Sequence, residues 1–183
     1  MKKIKTCLFN RDCVEYGTAM LPLDGTGLVM AFTLPGRDFP ELASREDMEK
    51  VLGGPLDDPA VRQQLKQMAL EKMPYSIKRY GPDSLSQYYY AVKAMYDEGY
   101  GSAAILNEEV RDCLGRMFPG GYYVLPRSVN MLLVYPKWSR RADMQLTLLK
   151  AIIKGMNRAA ADQEKVLSDD IFVVEGGRLM TAA

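Results

Sequence analysis

The sequence predicts an α+β fold, with antiparallel sheets and segregated helices forming two small lobes packed together. Apolar runs with β-branched and aromatic content are joined by tight turns, which marks strand pairs. Stretches with apolar residues at helical spacing carry their own start and stop signals in other sections of the chain. Of 183 residues, 48% are hydrophobic and 26% charged, enough to bury a sizeable core in one domain or in two lobes sharing an interface.

Residues 4–9, 14–21 and 28–34 read as strands, with Pro22, Gly25 and Gly27 supplying a turn between the last two, so a β-meander or hairpin is expected. Ser44 and Asp47 give a capping-box-like start to a helix carrying Met48, Val51 and Leu52, and Gly53, Gly54 and Pro55 stop it. Asp58 and Pro59 supply an N-cap and a first-turn proline for a second helix, with Val61, Leu65 and Met68 at helical spacing. Pro74 and then Gly81 and Pro82 mark the boundary between an N-terminal lobe, 1–82, and a C-terminal lobe, 83–183. Beyond it the capping pattern repeats over 84–87 and predicts a helix with Leu85, Tyr88, Tyr89, Val92, Met95 and Tyr96 as its apolar stripe, ended by Gly99. Asn107 caps a shorter helix carrying Val110, Cys113, Leu114 and Met117. Residues 122–126 and 129–135 read as strands joined by a turn at Pro126, Arg127 and Ser128. A long helix over 142–157 buries Leu146, Leu149, Ile152, Ile153 and Met156, and Gly176-Gly177 turns a terminal hairpin.

No histidine occurs in the chain. Histidine titrates near neutral pH unaided and is the commonest general base and zinc ligand. Its absence removes Ser-His-Asp and Cys-His nucleophile pairs, H-E-x-x-H helices and Cys/His zinc fingers. Lys plus Arg number 24 against 23 Asp plus Glu, a net charge of +1, which argues against binding nucleic acid by bulk charge and against mimicry of DNA. Cys7, Cys13 and Cys113 show no C-x-x-C spacing and read as buried free thiols in a reducing cytosol. The basic start is too short for a signal peptide and nowhere do about 18 apolar residues run together, so a soluble, cytoplasmic protein is expected.

Residues 99–104 match the letters G-x-G-x-x-A of a dinucleotide loop, but a predicted helix precedes them where that loop needs a strand, so helix termination is the expected role. Paired acids at Asp57-Asp58, Glu108-Glu109 and Asp169-Asp170 have the chemistry to hold Mg²⁺, yet they sit at helix starts or before a strand, where capping and turn roles are usual. Ser102, Ser128 and Ser168 lack a basic partner, and Cys113 falls on an apolar helix face. Eleven tyrosines are present, and since a helix buries one stripe, Tyr90 of the Tyr88–Tyr90 run is expected to project outward as a partner-binding residue. The sharpest cluster is Lys137, Trp138, Arg140 and Arg141, with the sole tryptophan and with Lys150, Lys154 and Arg158 extending its charge. Such a loop clamps phosphates, stacks a base or anchors a partner protein; the plain alternative is a solvated loop with Trp138 tucked against the core.

From Gly101 onward three segments stand in one order: 101–106 (GSAAIL), 123–136 (YVLPRSVNMLLVYP) and 167–172 (LSDDIF). They resemble an uncharacterised domain family of gut bacteria and their mobile elements, with the patterns G-A-A-x-L, Y-x-L-P-S-S-I-H-E-V-x-L-x-P and L-S-D-x-V-Y. Asn130-Met131 stand where that family shows His-Glu, so an activity based on that pair would be missing here. The resemblance implies a fold and no reaction. Its members look like passengers of conjugative elements and phages, and in size and lack of catalytic groups the chain is similar in kind to phage anti-CRISPR proteins against type II-A Cas9.

The leading expectation is therefore a non-enzymatic inhibitor from a phage or mobile element, without cofactor or metal, that binds a host defence nuclease such as Cas9 or its guide RNA complex. Tyr90, Lys137, Trp138, Arg140 and Arg141 would be its contacts, with minor RNA or DNA phosphate contacts through the arginines. The alternatives are a carboxylate-dependent Mg²⁺ enzyme acting on phosphates and a host-cell regulatory or structural homodimer.

Overall fold

The computed structural model describes residues 4–34, 36–37, 41–70, 74–95, 101–160 and 166–183. The fold is α+β with two antiparallel sheets. Strands β1 (Lys5–Asn10), β2 (Met20–Leu23) and β3 (Leu28–Thr33) form a three-stranded sheet in the order β1-β3-β2. The hairpin expected at the Pro22–Gly27 turn forms, since β2 pairs antiparallel with β3, but the three strands do not run as a meander. Asn10 caps a 3-10 turn over Arg11–Cys13, and residues 14–19 run outside any strand, so β2 returns beside β3. All six residues of β3 are buried, as a central strand covered on both faces requires.

Helix α1 (Arg45–Leu52) starts where its cap predicts: the Asp47 amide donates to Ser44 Oγ at 3.1 Å. Helix α2 (Pro59–Leu70) is opened by Asp58, whose Oδ1 accepts from the Ala60 amide at 2.8 Å. Met48, Leu65 and Ala69 are buried, whereas Val51 and Met68 face outward. Glu49 and Asp57 with Arg45 and Arg62 tie the α1–α2 turn. Glu49 accepts from the Leu56 amide at 2.8 Å, which together with Arg45 holds its carboxyl below the usual range.

A six-stranded sheet runs in the order β4-β5-β7-β6-β8-β9, with β4 (Tyr75–Tyr80), β5 (Tyr89–Ala94), β6 (Tyr122–Ser128), β7 (Met131–Pro136), β8 (Phe172–Glu175) and β9 (Arg178–Thr181). Two expectations are corrected here. The supposed boundary between Pro74 and Pro82 encloses β4, which pairs along its whole length with β5, so a cut at residue 82 falls inside the sheet. The helix expected after Ser84 is instead β5. Asp83, just before the expected cap, closes the β4–β5 turn instead: its Oδ1 accepts from the amides of Leu85 and Gln87. The tyrosine-rich run then takes strand alternation, Tyr90 and Val92 to one face, Tyr89 and Ala91 to the other. Tyr96 and Gly99, which that expectation also used, lie outside the described residues.

The β6–β7 turn sits at Val129-Asn130, later than expected, because a bulge between Leu125 and Ser128 absorbs Pro126, which has no amide to donate to the ladder. Gly176 and Gly177, with φ of 55° and 76°, turn the terminal hairpin as expected. Helix α3 (Glu108–Met117) is capped by Asn107, whose Oδ1 accepts from the Glu109 amide at 2.8 Å. Helix α4 (Ala142–Arg158) runs almost over the expected span.

The middle of the six-stranded sheet, β5, β6 and β7, is buried on both faces. Val92, Tyr122, Val124, Leu132, Val134 and Phe172 join a core shared with the three-stranded sheet, α1, α2 and α3. Ala91, Tyr123, Leu125, Leu133 and Tyr135 pack under α4 against Leu146, Leu149 and Ile153. A 3-10 segment, Gly101–Leu106, is wedged into the first core, with Ser102 donating through both its amide and its hydroxyl to the Val129 carbonyl. A Cβ on Gly101 would stand 1.8 Å from the Asn130 carbonyl oxygen, so only glycine allows this approach.

That contact separates two glycines by experiment. Gly101→Ala should cost roughly 3 kcal/mol or more in urea unfolding, since backbone would have to move. Gly115→Ala, on an exposed turn of α3 with nothing within 4 Å, should stabilise by about 0.5–1 kcal/mol.

Candidate interaction surface

Residues 137–141 turn the chain from β7 into α4, and the side-chain amides of buried Gln145 and half-buried Gln87 hold that turn. The Trp138 backbone amide donates to Gln145 Oε1 at 2.8 Å, and its indole Nε1–H donates to Gln87 Oε1 at 2.8 Å. Gln145 Nε2 donates to Gln87 Oε1 at 3.0 Å and to the Pro136 carbonyl at 2.8 Å, where Gln87 Nε2 also donates at 2.7 Å. Gln145 is 0% exposed, so its two polar atoms are satisfied entirely within this network. Asp83 delivers Gln87 to it by closing the β4–β5 turn. Tyr135, buried beneath, stacks on Tyr89 at 5.3 Å between ring centroids. Burial first, and then the Asp83 carboxylate beside it, push Tyr135 above the usual phenol range.

What this frame leaves outside is basic. Arg140 and Arg141 are exposed, and Arg141 adopts φ 61°, a left-handed turn residue opening α4. Lys137 lies with Nζ 5.1 Å from the centroid of the Tyr123 ring. Trp138 is half-buried. Near the β4–β5 turn, the Arg79 guanidinium sits 4.7 Å over the ring of Tyr88, itself 48% exposed.

Of the residues expected to contact a partner, the structure groups Lys137, Trp138, Arg140 and Arg141 and sets Tyr90 apart. Tyr90 does not project outward. On a strand it alternates with Tyr89, and its ring meets Phe118 edge-on at 4.8 Å inside the first core; Tyr88 is the outward ring. The sequence reading missed Arg79, Asp83, Gln87 and Gln145. Gln145 had a signal: it stands at i−4 and i−8 from Leu149 and Ile153, a polar residue on the buried stripe.

The remaining candidates have structural work. Gly99 and Tyr100 of the G-x-G-x-x-A letters lie outside the described residues; of the rest, residues 101–105 are buried, and the Ser102 amide donates to the Val129 carbonyl of the β6–β7 turn. Asp57 pairs with Arg45 and Arg62, Asp58 caps α2, and Asp169 accepts from Asn157 Nδ2 at 2.9 Å. Among the described residues no group of three His, Cys, Asp or Glu side chains has metal-binding geometry. Cys7 is buried and burial pushes its thiol up, Cys113 is half-buried, and Cys13 is exposed, contrary to the expectation of three buried thiols. No helix among the described residues is long and apolar enough to cross a membrane.

The amide network makes Trp138 a reporter. Gln145→Leu should cost about 2 kcal/mol by stripping the Trp138 amide of its partner. Its emission should shift to the red with increased acrylamide quenching, and an unchanged spectrum would mean that Gln145 does not hold the loop.

Alkaline pH gives a second test. Tyr75, Tyr122, Tyr123 and Tyr135 are all raised, chiefly by burial. The folded chain therefore keeps protons that the unfolded chain releases above about pH 10. Stability is intact below that pH and falls as pH rises beyond it. In thermal melts the fall should be shallower for Tyr135→Phe.

No protein-family model, no curated protein and no solved structure matches this chain.

Proposed function

We propose that this protein works by holding another macromolecule, with the β7–α4 corner as its grip. The observation that carries this reading is the double pinning of Trp138 by Gln87 and Gln145, which fixes the loop presenting Arg140 and Arg141. A side chain fixed before association loses little freedom on binding, so a preorganised aromatic–arginine loop binds more tightly than a mobile one. Arginine beside an aromatic ring suits both a protein surface and a phosphate-bearing one.

The narrower reading is an occluding inhibitor carried by a mobile element and directed at a defence nuclease such as a Cas9–guide RNA complex. Support for it comes from the resemblance of the segments after Gly101 and from a net charge of +1, which suits gripping a surface better than imitating DNA.

Immobilised protein should capture a Cas9–guide complex at micromolar concentration more strongly than guide RNA alone. The double substitution Arg140→Glu/Arg141→Glu should weaken capture at least ~10-fold at an unchanged melting temperature, since both side chains are exposed. Absence of capture at micromolar concentration overturns the nuclease reading, and capture indifferent to the double substitution overturns the corner.

A further inference from the structure

Helix α4 carries two stripes, and the described chain uses one. Leu146, Leu149 and Ile153 are buried under the six-stranded sheet, with Ile152 and Met156 at the margin. On the far side Met144, Leu148, Ala151 and Gly155 are all exposed, Met144 at 43% and Leu148 at 36%. Their spacing of four, three and four residues keeps them in one line along about 16 Å of helix. An outward helix face is ordinarily charged, and this line holds no charge. Asp143, Lys154 and Arg158, all exposed, stand together on one flank of it.

The line is self-complementary when reversed. It has two long side chains toward the N-terminal end, Met144 and Leu148, and two small residues toward the C-terminal end, Ala151 and Gly155. Antiparallel to a second copy, Leu148 of each chain meets Ala151 of the other, and Met144 meets Gly155, so each long side chain finds a gap. Small residues allow the close approach and long ones fill it. A two-fold axis perpendicular to both helices keeps the charged flanks on the same side. Asp143 of one copy then lies at the helix end where Lys154 and Arg158 of the other stand. A parallel pair would oppose long to long and small to small, and its two-fold axis, running along the helices, would carry the charged flanks to opposite sides, leaving Asp143 without a facing cation. The opposed helix dipoles favour the same choice.

We propose that α4 is the interface of a homodimer in which two copies pack this outer stripe antiparallel, with Asp143 facing Arg158 of the other copy at each end. The proposal is independent of the corner described above, and each has its own test. A single helix pair covers less than the roughly 1,600 Å² of a standard interface, so association is weak and reversible.

Sedimentation equilibrium of the full chain up to roughly 200 µM should show a monomer–dimer equilibrium. Leu148→Glu should raise the dissociation constant at least ~10-fold with unchanged far-UV circular dichroism and melting temperature. Asp143→Arg and Arg158→Asp should each weaken the dimer several-fold, and the two together should restore it to within about twofold. A chain that stays monomeric throughout overturns the proposal, as does a dimer indifferent to Leu148→Glu. Failure of the double charge exchange to restore association overturns the antiparallel pairing.

Discussion

The structure depends on one constraint: the middle of the six-stranded sheet must be apolar on both faces. Along β5, β6 and β7 successive residues serve different cores. Val92, Val124 and Leu132 face the shared core of the N-terminal sheet and helices, and Ala91, Leu125 and Leu133 face α4. A slip of one residue would exchange the two sets, so the bulge that accommodates Pro126 has to be absorbed before the turn. The wedge at Gly101 follows from the same constraint, since the first face of the sheet is covered at backbone distance by the 3-10 segment.

Double-sided burial also explains which elements could be read from sequence. Helices α1, α2 and α3 carry side-chain caps and α4 a long buried stripe, and their starts at Ser44, Asp58, Asn107 and Ala142 were legible. The terminal hairpin was legible because Gly176-Gly177 leaves little choice. Strand β5 was misread because a strand apolar on both sides lacks the polar alternation that distinguishes it from a helix. Strand β4 (YSIKRY) was passed over because its punctuation, Pro74 and Gly81-Pro82, reads equally as a linker. The β1-β3-β2 order turns on the route of residues 14–19, which local signals do not encode.

The candidate surface was half legible. Lys137, Trp138, Arg140 and Arg141 are contiguous and announce themselves by composition. The partner that holds Trp138 is supplied from 51 positions away by Gln87, and no local pattern links the two. Tyr90 shows the converse: its outward direction was inferred from a helix that does not form, and strand parity turned it inward. Direction on an element is only as good as the element's type.

Strand β4 ends the sheet, and among the described residues no strand pairs with its outer side. A bare sheet margin is a template for any other extended chain, including a nascent copy of the same protein. Lys78 and Arg79, both exposed near its end, place hydrated charge where an incoming strand would have to desolvate it. During synthesis the hazard is greater, because β4 leaves the ribosome before β5 and has no mate until Ala94 has followed. The same two cations then act as gatekeepers against aggregation for a strand that waits for its neighbour.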